Sequence, residues 1–354
     1  MPPRRRKRLD PAVFALPVED IRAGRFTETP FLRAREVLRA ADASSTVVSQ
    51  ISCKAPGIVS GIDEAIALLR LCADDWSALT VHALYEGDRV DAWDTVMSIE
   101  GPYAAFAHLE PMCVGVLARR SGVATRARAL VEAARPKPVM IVAAQHDHWL
   151  MQAGDGFAAF IGGVKMVATP AQGMWWNGTP VGAVPHALIS ACGGDTVAAA
   201  RRLAELLDPE TPIVVPTDYE NDSVRTSLDV ARALEGRLWA VRLDTSEFLI
   251  DASILPHLGA FPPTGVTPQL VWNVRNALDA EGLGDVKIIV SGGFAVDRIR
   301  VFEEEGIPVD VYGVGSSLLA GRADVTADIV QVDGHTQARA GRVLRPNARL
   351  ERVK

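Results

Sequence analysis

The sequence predicts an α/β protein whose second part is a parallel sheet curled into a barrel and whose first part is a separate α+β region. Three observations predict it. Short β-branched runs recur from residue 139 onward, helical patterns with recognisable ends lie between them, and the chain before residue 110 mixes helix and strand without that alternation. The 354 residues suffice for two domains at about 150 residues each. A balance of 48% apolar and 23% charged residues is that of a packed globular chain, which excludes disordered, collagenous and coiled-coil classes.

The first element in order is a basic run, Arg4, Arg5, Arg6, Lys7 and Arg8, followed by Asp10. It reads as a solvated, disordered tip rather than as an RNA-binding or targeting arm. It is not a signal peptide, because the apolar stretch from Pro11 to Val18 is broken by Pro11 and Pro17 and lacks a small-residue cleavage site. The net charge of −6 becomes −10 once the first ten residues are set aside, so the body is acidic. An acidic body lacks the clustered cations that release counterions from a phosphate backbone, which argues against nucleic acid as a partner.

Residues 27–110 carry a helix at 31–40, an apolar-turn-helix stretch at 47–71 and strand-like runs at 79–85 and 95–100. A long helical segment, 111–134, leads to the barrel region. Six strands are expected there, at 139–142, 163–168, 213–215, 238–243, 286–290 and 309–314. One intervening helix has Asp195 as N-cap, with Ala200, Leu203, Ala204 and Leu207 on one face, and stops at Pro209. Another has Thr267 as N-cap, Pro268 at its first position and Leu270, Val271, Val274 and Leu278 inward; a third runs from Asp297, read as its cap, to Gly306. Alternation of this kind gives right-handed βα units. The tail has a strand at 329–332 that returns to the first domain.

Residues 166–194 contain no Asp, Glu, Lys or Arg, yet six glycines and prolines between Pro170 and Pro185 rule out a membrane helix. A buried, irregular segment lining a cavity is expected instead. Cys53, Cys72, Cys113 and Cys192 form no C-x-x-C pair, which suggests free thiols in a reducing cytoplasm.

Chemistry concentrates where strands end. VSGGF (290–294) and YGVGSS (312–317) are apolar strands closing in glycine turns, whose backbone N–H groups suit an anion, or whose glycines merely permit tight turns. In α/β barrels the loops after the last two strands are the usual phosphate site. VRLDT (241–245) puts Arg242 and Asp244 two apart on one face of a strand end, either to hold a phosphate or sugar hydroxyls or as an internal ion pair. In PTDYEND (216–222), Asp218, Glu220 and Asp222 are candidates for a divalent metal, for ribose hydroxyls or for a helix N-terminus. QHDHW (145–149) places His146 and His148 beside Asp147 without a third metal ligand nearby, and His186 alone reads as a buried, satisfied histidine.

Those motifs, with SGVATRARALVEAA (121–134), IGG (161–163) and PHALI (185–189), in this order, resemble the nicotinate phosphoribosyltransferases over about residues 20–354. The helix at 121–134 also resembles that of quinolinate phosphoribosyltransferases, although the basic Thr-Arg-Lys-Thr type segment of those enzymes is not found. The resemblance implies a type II phosphoribosyltransferase: a basic tail and lead-in (1–26), an open-faced α/β sandwich (27–110 with 322–354), and an irregular parallel α/β barrel (111–321). It implies an active site at the barrel's C-terminal rim, completed by a neighbouring subunit of a homo-oligomer, dimer or higher, in a cytoplasmic protein with no membrane partner. The implied reaction moves ribose 5-phosphate from phosphoribosyl pyrophosphate (PRPP) to the ring nitrogen of a small aromatic carboxylate, with Mg²⁺ and, in many members, ATP hydrolysis.

By motif match the resemblance gives Arg242, Ser291, Gly292, Gly293, Gly313, Gly315 and Ser316 to PRPP and its phosphate. Asp244, Asp218 and His186 become catalytic, His186 matching a histidine that some members phosphorylate, and Asp218 and Asp222 become Mg²⁺ ligands. The base end departs from the pattern. Pro30, with Phe31 adjacent, stands where a Tyr is usual, Val142 and Gln145 where an aromatic and an arginine are, Lys165 where an Asp is, and Gly182-Ala183 where Gly-Thr is. Gln145, His146 and Lys165 are therefore the expected base-binding residues, with Lys165 supplying the cation for the acid or else pairing with Asp147 or Asp155. The altered base end leaves a catalytically silent PRPP-binding regulator as the alternative.

Overall fold

The structure is a computed structural model that describes residues 7–41 and 45–354. The chain divides into two compact units, Met1–Arg126 with Gly321–Lys354, and Ala127–Ala320.

The first unit is built on β1 (Thr46–Cys53), β2 (Gly57–Ile58), β3 (Thr80–Ala83), β4 (Arg89–Val90) and β5 (Thr95–Pro102). Its large sheet is antiparallel and runs β13-β12-β1-β5-β3-β14, with β12 (Val325–Val332), β13 (His335–Thr336) and β14 (Glu351–Arg352) supplied by the returning tail, as expected. The expected helix at 31–40 is Thr29–Ala40, with Pro30 in its first turn. Helix Ile62–Cys72 covers the sheet through Ile62, Ala65, Ile66, Leu69 and Cys72, all buried against Ile51, Met97 and Ile99. Its N-terminus has no cap of its own. The Glu86 carboxylate accepts from the backbone N–H of Gly61 and of Asp63, each at 3.0 Å, and burial, with Asp63 nearby, raises its pKa to about 7.

The N-terminal basic run needs a correction. Arg4, Arg5 and Arg6 lie outside the described residues, but Arg8 is no solvated tip: it donates to Asp63 at 3.0 Å and to the Leu84 carbonyl at 3.1 Å, and lies 4.2 Å from the centre of the Tyr85 ring.

In the second unit all six expected strands form, as β6 (Val139–Ile141), β7 (Met166–Val167), β8 (Ile213–Pro216), β9 (Leu238–Leu243), β10 (Lys287–Val290) and β11 (Val311–Val314). They make one parallel sheet in the order β7-β6-β11-β10-β9-β8. Met140, Val214, Ala240, Ile289 and Val311 pack inside it. β7 is shorter than expected because the preceding helix, Gln152–Gly162, takes its residues: Gly163 caps it at φ +114°, and the Val164 N–H returns to the Ala159 carbonyl at 3.0 Å. The two edge strands are joined by the charge-free segment. Val181 N–H donates to Val167 at 2.8 Å and Val184 N–H to Val214 at 2.9 Å, so residues 180–184 close the sheet through single bridges. Pro180 and Pro185 lack the N–H groups that a full ladder would need. The segment is irregular as expected, but only partly buried: Val167, Gln172, Gly173, Val184 and Ile189 are inside while Met174 is 60% exposed.

The helices Thr196–Leu206 and Pro268–Ala280 start where their caps predict, with Asp195 accepting from Ala198 N–H and Thr267 from Leu270 N–H. Leu270, Val271, Val274 and Leu278 are buried as the pattern required; on the other helix Ala200 and Ala204 are buried but Leu203 and Leu207 only half so. The third helix is Val296–Glu304, capped by Ala295 and not by Asp297, which points to solvent and pairs with Arg300.

Candidate active site

Parallel strands bring all their C-terminal ends to one rim. The pairing of Pro216 with Arg242, Arg242 with Ile289, Val290 with Tyr312 and Val314 with Ile141 fixes the level. Asp218, Asp244, Ser291 with Gly292 and Gly293, Gly315 and the 142–146 turn therefore all emerge on that rim.

At the end of β9, Arg242 and Asp244 form a pair at 3.1 Å, with side chains 17% and 29% exposed. The other Asp244 oxygen accepts from Ser291 Oγ at 2.7 Å, and Ser291 N–H holds the Leu243 carbonyl, so adjacent strand ends are laced together. Arg242 Nε is buried with no partner. The hydroxyls of Thr217 and Thr245, next in sequence to Asp218 and Asp244, are also buried and unpartnered. Nothing in the motifs singled out these threonines beyond their position at two strand ends. Such orphaned donors are costly unless a ligand satisfies them.

His186 opens the helix His186–Ala191 and places Nε2 3.1 Å from Asp218 Oδ1. That hydrogen bond raises the His186 pKa against a smaller opposing effect of burial, and the charges of Arg242 and Asp244 reach it too. It is thus not a lone core histidine. Its ring is 38% exposed and lies nearly parallel to Tyr219, with centroids 6.4 Å apart.

The two glycine turns differ. Gly292 and Gly293 take φ +80° and +76°, a conformation that strains any side chain. Their backbone N–H groups make no hydrogen bond among the described residues. Gly315, the N-cap of helix Ser316–Leu319, has φ −119°, and a Cβ there would come 2.7 Å from His146 Nε2, so the imidazole would have to move aside. Gly313 lies against Ser291, where a Cβ would meet the serine Cβ at 3.1 Å. Ser317 Oγ, which the motif reading passed over, donates to the Phe294 carbonyl at 2.8 Å and ties one turn to the other.

The expected base-binding and metal-ligating residues stand in three different settings. Lys165 is exposed and immediately precedes β7, at the N-terminal end of that strand rather than at its C-terminal end on the rim. His146 packs on the Gly315 turn, and Gln145 is an exposed residue of the 142–146 turn on the same rim. Asp222 caps helix Ser223–Ala233 by accepting from Arg225 N–H at 3.2 Å and pairs with the same arginine at 3.1 Å, so its carboxylate is engaged in the helix end. Among the described residues no group of three His, Cys, Asp or Glu side chains could hold a metal alone, and His148 Nδ1 accepts from Leu150 N–H. The four cysteines are unpaired, and burial pushes the Cys53 thiol up to about 11. No helix among the described residues is long and apolar enough to cross a membrane.

A rim with free N–H groups at paired glycine turns, an arginine and two carboxylates has the chemistry to hold a sugar phosphate. The family model for the quinolinate phosphoribosyl transferase N-terminal domain matches residues 33–121. Nicotinate phosphoribosyltransferase pncB1 of Mycobacterium tuberculosis is 28% identical over 281 residues, 76% of this chain and 57% of that relative, so the chain spans little more than half its length. The crystal structure of nicotinate-nucleotide pyrophosphorylase from Pyrococcus furiosus superposes with a TM-score of 0.79 at 29% identity, covering 95% of this chain and 84% of that one. Human nicotinic acid phosphoribosyltransferase shares the fold with a TM-score of 0.63 at 16% identity, covering 86% and 74%. In sequence and fold the chain is similar to the nicotinate and quinolinate phosphoribosyltransferases.

Proposed function

We propose that the chain transfers the 5-phosphoribosyl group of PRPP to the ring nitrogen of nicotinate or a related heteroaromatic acid, releasing pyrophosphate. The observation that carries this reading is the Asp244 carboxylate held between Arg242 and Ser291 beside the left-handed Gly292-Gly293 turn, with Arg242 Nε left without a partner. The N–H groups of the turn receive the 5-phosphate. Asp244 and Asp218 accept hydrogen bonds from the ribose hydroxyls and face the positive charge that grows on the sugar as the anomeric C–O bond breaks. Arg242 meets the developing charge on pyrophosphate with the accessible part of its guanidinium.

Asp218, with Asp244 once its contacts to Arg242 and Ser291 open, would hold a Mg²⁺ ion, which would supply positive charge against the leaving pyrophosphate. The Asp222 carboxylate is engaged by Arg225 at the start of helix Ser223–Ala233. Asp218 holds His186 Nε2, which leaves Nδ1 with a free lone pair. That arrangement suits a phosphoryl acceptor, and ATP coupling through His186 is part of the proposal.

Quinolinate is the second reading, favoured by the family-model match over residues 33–121. The deciding experiment is a pyrophosphate-release assay with PRPP and Mg²⁺ over nicotinate, quinolinate and other ring acids, run beside calorimetry with PRPP. Turnover on nicotinate without loss of CO₂ supports the first reading. Turnover on quinolinate with CO₂ release supports the second, and PRPP binding with no turnover on any acid would mean a silent regulator.

A further inference from the structure

Gly292 and Gly293 carry no side chain that could hold their own turn, and glycine has the largest conformational freedom to lose. Arg298, in the first turn of helix Val296–Glu304, holds it from behind. Its Nη1 donates to the Gly292 carbonyl at 2.8 Å and its Nη2 to the Val266 carbonyl at 2.7 Å. The guanidinium lies 4.2 Å from the centre of the Phe294 ring, and that ring is fixed edge-on to Phe302 at 5.0 Å. Three separate contacts thus set the direction in which the planar fork points.

The consequence follows from the geometry of the peptide bond. In a planar trans peptide, the carbonyl of one residue and the N–H of the next point in opposite directions. Drawing the Gly292 carbonyl toward Arg298 therefore turns the Gly293 N–H away from it, the direction an anion on the turn would need. The charge lies close as well: Nη1 is 3.5 Å from where a Gly293 Cβ would stand. Burial lowers the Arg298 pKa from its usual value, yet a guanidinium keeps its charge in proteins.

We propose that Arg298 is the positioning residue of the phosphate turn, orienting the Gly293 N–H and placing a fixed positive charge beneath the 5-phosphate. The inference rests on the phosphoribosyl reading above. Lysine cannot replace it fully, because a single ammonium does not bridge two carbonyls in fixed directions or stack as a plane on Phe294.

The test compares wild type, Arg298→Lys and Arg298→Met in calorimetric titrations with ribose 5-phosphate and in steady-state turnover. Arg298→Met is expected to lose tenfold or more in affinity for ribose 5-phosphate and to raise KM for PRPP by a similar factor, with kcat and KM for the ring acid within about twofold. Arg298→Lys is expected to fall between the two. A folded Arg298→Met that binds ribose 5-phosphate as tightly as wild type overturns the inference. So does a parallel decline of kcat and of both KM values, which would mark a general structural role. If Arg298→Met does not fold, Arg298→Lys decides, and wild-type affinity in it overturns the proposal. Wild type that binds neither ribose 5-phosphate nor PRPP defeats the phosphoribosyl reading and this inference together, whereas normal wild-type binding with an indifferent Arg298→Met defeats the inference alone.

Discussion

The rim of the barrel has two arcs of opposite character. Along β9, β10 and β11 the strand-end residues lock into one another: Arg242 to Asp244, Asp244 to Ser291, and Ser317 to Phe294. Along β6 and β7 the corresponding positions are dispersed, with Gln145 exposed, His146 turned onto Gly315, and Lys165 at the far end of its strand. A sugar phosphate is recognised by backbone N–H groups and by side chains on strand ends, which a rigid sheet positions. A ring acid is recognised by loop side chains, whose directions a strand does not determine.

The largest expected effect breaks the ordered arc at its glycines. Gly293→Val forces a branched side chain into φ +76° and should remove measurable PRPP binding, a loss of at least about 3 kcal/mol or two decades in Kd. Gly315→Ala should also impair PRPP binding, for a different reason: its Cβ meets His146 Nε2. The double variant Gly315→Ala, His146→Ala should recover much of that loss. Calorimetry on the three proteins checks both, and a double variant no better than the single one would show that His146 is not the obstacle.

Arg242→Ala should weaken PRPP binding by roughly 1.5–3 kcal/mol, the usual value of a charge-assisted contact. Unchanged affinity would mean that the pair with Asp244 closes on itself and never opens to ligand.

Smaller effects are expected from pH. Glu86 in the first unit has its pKa raised to about 7 from 4.5, so the folded state holds the proton more tightly than the unfolded chain does. Its contribution is complete below about pH 4.5 and is lost as pH rises through about 7. Thermal melts should show wild type losing more stability between pH 6 and 8 than Glu86→Gln, and equal slopes would refute the assignment. His186 has the same sign: its raised pKa means a contribution present below 6.5 that fades as pH climbs past the folded value. Asp218→Asn should flatten that part of the profile, by an amount reduced because the ring is partly exposed to solvent.

The smallest effect sharpens the second arc. Lys165→Ala should leave KM for any ring acid unchanged, because an exposed residue before β7 lies at the N-terminal end of that strand and not on the rim. A rise of tenfold would return the acid to that lysine and overturn the placement.

Much of this molecule was legible in its sequence wherever the determining interaction spans few residues. The six barrel strands, the Asp195 and Thr267 caps, the inward face of helix Pro268–Ala280 and the pairing of Arg242 with Asp244 are all settled within one strand or one or two helix turns. The glycine turns belong to the same class, since positive φ is a property of the residue itself. Lys165 was assigned by motif match and not from its place on a strand: it precedes β7, whereas sites in such barrels follow their strands.

What only the tertiary structure decided involves groups far apart in the chain. The closing of the sheet by residues 180–184 depends on β7 and β8 standing a strand's width away on either side. The crowding at Gly315 comes from a histidine 169 positions earlier, and the fastening of Arg8 from Asp63 and the Leu84 carbonyl. His186 reads as an isolated histidine until Asp218 is brought to its Nε2. The physical reason is the same in each case. Backbone preferences and caps are short-range and written in neighbouring residues, whereas the partner of a buried or charged side chain is whichever group the packed core delivers to it, and that is a property of the whole fold.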